Sequence, residues 1–254
     1  VSMDKRIDVC MNRIILLTSL LLISAATQAS SLVMAVGWTK PPYVIADQDK
    51  GFELDLVRAI LQNLGHQVDP VYVPFGRSAG MLNHGQVDMA LNMTERMPVP
   101  HEQLSQVYVT YRNVVISLKV SRVHLNSLAD MKGFSIVAFQ NASIVPGQEF
   151  AKKVADSRLY TELPDQSKQV KMLLEGRIDL AVMDINIFRH ISTKFRDDAL
   201  DLVDIHWLFP PTGYRVGFKD KALLQEFDKA LQAYRSSDQY PALIATYDIW
   251  QPGF

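Results

Sequence analysis

"MLNHGQVDMALN" (residues 81–92) returns as "MLLEGRIDLAVM" (residues 172–183). Both fit M-L-x-x-G-x-[VI]-D-[ML]-A-[LV]. Met-Leu, two further residues and a glycine read as the end of a helix. Gly85 and Gly176 stand where a left-handed residue closes the last turn, a conformation that glycine adopts without a Cβ clash. A branched residue, an aspartate and a short apolar run follow, which suits a strand buried on both faces. Each copy is therefore a helix, a glycine stop and a buried strand, the αβ joint of an α/β protein. Two copies point to two lobes with similar wiring; the alternative is that such joints recur within one large sheet.

The chain has 254 residues, enough for one large or two medium domains, and its 48% hydrophobic content supports real cores. The net charge of −1 offers no nucleic-acid surface, so nucleic acid is not an expected partner. At the N-terminus, "MNRIILLTSLLLISAATQASS" (residues 11–31) joins a basic start at Arg13 to an apolar run and a small-residue end. Residues 1–29 are read as a signal peptide cleaved after Ala29, because the run is too short to span a bilayer comfortably. Residues 1–10, ahead of Met11, resemble an upstream misread start. The single cysteine, Cys10, precedes the apolar run and so cannot be a lipoprotein cysteine. The mature protein is then free of cysteine, soluble and exported, with the periplasm as its expected place.

Along the mature chain, "LVMAVGW" (residues 32–38) is a strand running into the polar–aromatic loop "WTKPPYV" (residues 38–44). "GFELDLVRAILQNLG" spaces its leucines as a helix and stops at Gly65. "QVDPVYVPF" is a second strand and "NVVISLKV" (residues 113–120) another. The pattern then restarts through "FSIVAF", a helix, "LYTEL" and a helix into the second motif copy. "YRVGF" is a return strand, and residues 220–250 are helical with a break near Pro241. Alternating strands and helices predict parallel sheets in both halves. Ligands of such sheets bind outside the carboxyl ends of the strands, so the cleft between two lobes is the expected site.

Four stretches resemble the amino-acid-binding family of periplasmic solute-binding proteins, family 3: "GFELDL", "SLADMKGFSIVAF", "LLEGRIDLAVMD" and "RSSDQYPALIATYDIW". The resemblance covers nearly the whole mature chain. It implies two doubly wound α/β lobes joined by two crossing strands, the type II periplasmic-binding-protein-like fold. Lobe 1 is then residues 31–112 plus 214–254, and lobe 2 is residues 117–209. The crossings fall near residues 112–117 and 209–214. The implied function is capture of a small polar solute by hinge closure and delivery to an ABC transporter permease or a membrane sensor. A monomer is expected.

Site residues follow from the same resemblance. Trp38, Tyr43 and Phe75 match aromatics that flank the ligand. Asn141, Ala142 and Ser143 match a second-lobe loop whose backbone N–H groups accept a carboxylate. Asp184 matches the acceptor of an α-ammonium group. The sequence departs from the family at "NMTERMPVPHEQ" (residues 92–103): the carboxylate-clamping arginine falls in register on Pro100 or His101. Arg96, one turn earlier, or Arg77 in "PFGRSAG" is left to supply the charge.

A rival reading is an exported serine hydrolase. "GRSAG" (residues 76–80) is Gly-x-Ser-x-Gly between a strand and a helix. Ser78 would be the nucleophile, with Asp184 and His190 or His206 as partners. The short helix that follows and the lack of a Gly-rich oxyanion segment weigh against it. No P-loop, Gly-x-Gly-x-x-Gly, His-x-x-x-His or Cys-x-x-Cys is present, so no cofactor or metal is expected.

Overall fold

The computed structural model describes residues 31–74, 76–140, 142–143, 147–155 and 159–251. The signal peptide expected at residues 1–29, Phe75 and Asn141 lie outside the described residues.

The two motif copies build equivalent joints. Helix α1 (Phe52–Asn63) and strands β1 (Ser31–Gly37) and β2 (Gln67–Val73) precede helix α2 (Arg77–Asn83), which leads through Gly85 to β3 (Met89–Met93). In the second copy, α4 (Gln166–Leu174) leads through Gly176 to β8 (Leu180–Asp184). Gly85 and Gly176 both have φ of 67°. Their N–H groups reach the carbonyls of Leu82 and Leu173 at 3.0 and 2.9 Å. The next amides, Gln86 and Arg177, reach Met81 and Met172 at 2.9 Å in both copies. This pair of bonds satisfies carbonyls that the helix end would otherwise leave open. The motif aspartates then tie each strand to its neighbour. Asp88 accepts the Val33 N–H at 2.9 Å, and Asp179 accepts the N–H and hydroxyl of Ser135 at 2.8 and 2.7 Å. Every residue of β3 and β8 is buried, as their apolar runs require.

Those strands are the centres of two five-stranded sheets. The first runs β2-β1-β3-β10-β4, with β4 (Leu104–Tyr111) and β10 (Thr212–Phe218). The second runs β7-β6-β8-β5-β9, with β5 (Asn113–Leu118), β6 (Ile136–Phe139), β7 (Tyr160–Leu163) and β9 (Val203–His206). The expectation of parallel sheets needs correction, because both are mixed. β1 is parallel to β2 and β3, and β6 to β7 and β8, but β10 and β5 run antiparallel to both neighbours. The antiparallel strands are the ones that arrive from the other sheet. They need no crossover helix, so nothing forces them parallel.

The chain leaves the first sheet at Tyr111 and enters the second at Asn113, with Arg112 alone between them. β5 pairs with β8 and β9 through residues 113–118, so the second sheet takes up residues that the sequence reading gave to a crossing strand. Helices α3 (Gln148–Val154) and α5 (Ile185–Ser192) belong to the second half; α6 (Lys221–Arg235) and α7 (Gln239–Thr246) close the chain. The break between α6 and α7 falls at residues 236–238. Pro241 sits in the first turn of α7, where no N–H is needed.

Gly85→Ala and Gly176→Ala test the equivalence of the joints. An added Cβ meets nothing closer than Lys219 Nζ at 3.6 Å or Leu118 Cδ1 at 4.0 Å. Only the left-handed backbone is then penalised, and each variant should lose about 1–2 kcal/mol in urea unfolding. A loss at one glycine alone would break the equivalence.

Candidate functional site

The site begins in the loop after β1. Backbone bonds from Lys40 N to Val44 O (2.8 Å) and Tyr43 N to Lys40 O (3.1 Å) fold residues 40–44 into a tight turn. The turn sends two side chains inward in different directions. Lys40 reaches the end of β3, where its ammonium donates to Asn92 Oδ1 and lies 4.0 Å from Glu53 Oε1. Tyr43 reaches the end of β8, where its hydroxyl donates to Asp184 Oδ1 at 3.1 Å.

Glu53, at the start of α1, is completely buried. It accepts from the Tyr108 hydroxyl at 2.5 Å, from Asn92 Nδ2 at 2.7 Å and from the Tyr111 hydroxyl. Burial raises the pKa of Tyr108 and Tyr111 well above the ordinary phenol value, and the charge of Glu53 adds to the effect, so both stay protonated donors. Burial lowers the pKa of Lys40, against the pull of Glu53 and Asp184.

Asp184 is 1% exposed and caps α5. Its Oδ1 accepts the Asn186 and Ile187 amides at 2.8 and 3.2 Å, and its Oδ2 accepts the Arg112 amide at 2.7 Å. Burial pushes its pKa up to about 6, although these hydrogen bonds pull the other way. Asn186 extends the network to the Tyr43 hydroxyl at 3.0 Å and to both backbone groups of Trp250.

A cavity of about 110 Å³ opens between the sheets. Lys40 and Asp184 both line it, with Trp38, Tyr111, Tyr214 and Phe139 as ring walls. A larger cavity of about 500 Å³ adjoins at Gly37, walled by Asn92, Thr94, Arg96 and the return segment 210–213.

The expected site residues separate. Trp38 and Asp184 line the smaller cavity, and Arg96 lines the larger one. Tyr43 stands behind the smaller cavity, stacked on Tyr111 with ring centroids 4.1 Å apart, and it belongs to the core at the junction of the sheets. Arg77 is exposed at the first position of α2 and is absent from both walls. Ala142 is buried in the second sheet's core. The Ser143 N–H, expected to face a ligand carboxylate, donates to Glu162 Oε1 at 2.8 Å, so the chain's own carboxylate fills that role.

Sequence reasoning missed Lys40, Glu53, Asn92, Tyr108, Tyr111 and Tyr214. Two signals were present: a glutamate inside the apolar start of α1, and an asparagine ending a buried strand. Asn92 also has φ of 58°, which asparagine tolerates better than most residues.

The hydrolase constellation does not assemble. Ser78 is buried in the first turn of α2, His206 Nε2 bonds the Ser117 hydroxyl at 2.9 Å, and Asp184 is held by α5, Arg112 and Tyr43.

Residues 32–249 match the model of the bacterial extracellular solute-binding proteins, family 3. The chain belongs to that family. It is 25% identical over 223 residues to the arginine-binding extracellular protein ArtP of Bacillus subtilis (strain 168), with 84% of each chain covered. Among solved structures it is similar to an ancestral arginine-binding protein bound to arginine, at 24% identity and a TM-score of 0.66, covering 86% of this chain and 98% of that one. It is also similar to a histidine kinase sensor domain that resembles periplasmic binding proteins, at 20% identity and a TM-score of 0.68, covering 87% and 97%. These structural likenesses establish the fold. Membership of a solute-binding family fits the cavity between the sheets and leaves the Gly-x-Ser-x-Gly of residues 76–80 as a turn into a short helix.

Asp184 gives this family member a pH signature. Its folded pKa of about 6 exceeds the ordinary carboxylate value, so the folded state holds the proton more tightly than the unfolded chain. Its contribution to stability is full below the ordinary carboxylate range and is lost as pH rises through about 6. Relative to Asp184→Asn, the wild type should therefore lose about 2–3 kcal/mol between about pH 4 and pH 7 in urea unfolding. A difference that stays flat or grows with pH would contradict the assignment.

Proposed function

We propose that this protein is a periplasmic substrate-binding protein that takes a small polar solute between its two lobes and passes it to a membrane transporter. The solute class is an amino acid or a related carboxylate or amine. One observation carries the reading: charged groups of opposite sign, delivered by different sheets, line one ring-walled cavity between those sheets. A solute that touches both walls favours the closed arrangement of the lobes, which is how a hinge-bending binder signals occupancy. The naming of the Bacillus relative as arginine-binding supports the amino-acid class. The likeness to a histidine kinase sensor domain keeps a membrane sensor beside an ABC transporter permease as the partner. A mature chain beginning at Ser30 completes the reading.

A thermal-shift screen of amino acids, organic acids and polyamines on the mature chain tests it. A true ligand at a hundred times its Kd adds about 2.7 kcal/mol of stability. Asp184→Ala should weaken that ligand at least about 30-fold, as expected for losing one charge of a desolvated pair. Ser78→Ala should bind normally, and a fluorophosphonate should leave Ser78 unlabelled. A screen in which no solute shifts the melting curve would sink the reading.

A further inference from the structure

The solute-binding reading leaves open which cation meets an anionic group on the solute. The arginine register falls on Pro100 and His101, which are exposed and do not line the smaller cavity. Arg77 reaches neither cavity, and Arg96 is exposed on the larger one. The second-lobe amide at Ser143 is already taken by Glu162, whose Oε1 also accepts the Tyr160 hydroxyl at 2.7 Å.

Lys40 is different. Its side chain is 14% exposed, and it faces the cavity that Asp184 also lines. An ammonium has three protons. One goes to Asn92 Oδ1, and the nearest carboxylate, Glu53, stands 4.0 Å away on the core side. Glu53 does not depend on Lys40, because Tyr108, Tyr111 and Asn92 already donate to it. Lys40 therefore has donor capacity beyond what holds the core together. On the opposite side, Asp184 Oδ1 takes three donors, whereas among the described residues Oδ2 takes the Arg112 amide alone. A carboxylate oxygen accepts about two hydrogen bonds, so Oδ2 has a lone pair to offer. Gln166 Oε1, on the same wall, is buried and has no hydrogen-bond partner among the described residues, and it also calls for a donor.

We infer that Lys40 is the cation that holds the solute's carboxylate, and that Lys40 and Asp184 together form a site for a zwitterion. The charges balance in this arrangement. Lys40, Glu53 and Asp184 sum to one negative charge. A zwitterion leaves that sum unchanged, whereas a simple anion adds a second buried negative charge. The ring walls pack the solute's apolar part with little loss of side-chain freedom.

The inference rests on the solute-binding reading, and its test separates the two. L-Arginine, L-glutamate, L-glutamine and L-histidine are titrated calorimetrically into the wild-type mature chain, each beside its α-carboxamide. The amide has the same shape and lacks the carboxylate charge. The wild type should prefer the acid of its best ligand by at least about tenfold. Lys40→Met should bring acid and amide within about twofold of each other, while Lys40→Arg restores much of the preference. Arg96→Ala and Arg77→Ala should keep it. Lys40→Met retains every donor to Glu53, and its melting curve shows whether it folds; if it does not, Lys40→Arg and the two arginine variants still decide the assignment. An acid preference that survives Lys40→Met, or vanishes in Arg96→Ala, overturns the role of Lys40 and leaves solute binding intact. If all four acids fail while the wider screen finds an amine or a simple organic acid, the zwitterion site is wrong. If nothing binds in either experiment, the solute-binding reading falls with it.

Discussion

A carboxylate with no solvent exposure has to find its donors inside the protein, and Glu53 sets much of this structure. An unpaired buried charge is prohibitively costly, so the fold must bring partners to it. They come from two places, Asn92 near the end of β3 and Tyr108 and Tyr111 from β4, while Lys40 from the loop after β1 stands 4.0 Å away and donates no hydrogen bond to it. Tyr111 is the last residue of β4, and its ring is packed face to face on Tyr43 and edge-on against Tyr214 at 4.8 Å. With Tyr111 pinned, the following residue, Arg112, has its amide fixed toward Asp184 at 2.7 Å. Neutralising one charge in the first sheet thus determines where the chain leaves that sheet and how it meets the second.

The joints were legible in the sequence because all their determinants are local. A glycine at the helix stop, an aspartate three residues later and an apolar run need only neighbouring residues to act, and they recur at residues 85–91 and 176–182. Sheet direction was not local. β5 carries the same kind of apolar run as β3 and β8, and only its arrival from the other sheet makes it antiparallel. The site was the least legible part. Asp184 and Trp38 could be placed by resemblance, but the Lys40–Asn92 and Tyr43–Asp184 bonds join residues far apart in the chain. Lys40 also reads as an ordinary loop lysine until Pro41–Val44 turn it inward. The Ser143 amide shows the converse limit: the loop was located, but its occupation by Glu162 depends on the side chain of β7.

The repeat sets the frame of the site but not its polar groups. β3 and β8 occupy the same place in their sheets, yet the copies differ by one residue in where the buried polar group falls: Asn92 is one residue short of the end of β3, where the repeat aligns it with Met183, and Asp184 is the last residue of β8. The two walls therefore carry an amide and a carboxylate that the shared motif does not specify. One loop then serves both: Lys40 goes to the amide, and Tyr43, three residues on, goes to the carboxylate. The same short segment therefore stitches the first sheet to the second and brings a cation to the wall on the first sheet's side.

Protein groups of the two halves contact one another directly, and on the proposed solute-binding reading that constrains how a solute can act. Tyr43 bonds Asp184, Trp250 exchanges backbone bonds with the Asn186 side chain at 2.8 and 3.2 Å, and the rings of Trp207 and Trp250 lie 5.6 Å apart. The exposed Arg189–Asp248 pair at 3.1 Å adds little, because solvent screens it. A solute that touched only one sheet would bind every arrangement of the halves equally well and would shift none of them, however tightly it bound. Only contacts made to both walls at once distinguish one arrangement from another. The cavity that joins Trp38 and Tyr214 of the first half to Phe139 and Asp184 of the second is the place where such a difference in affinity can arise. The larger cavity at Arg96 draws its wall from the first sheet and the return segment, so a molecule confined there lacks that leverage.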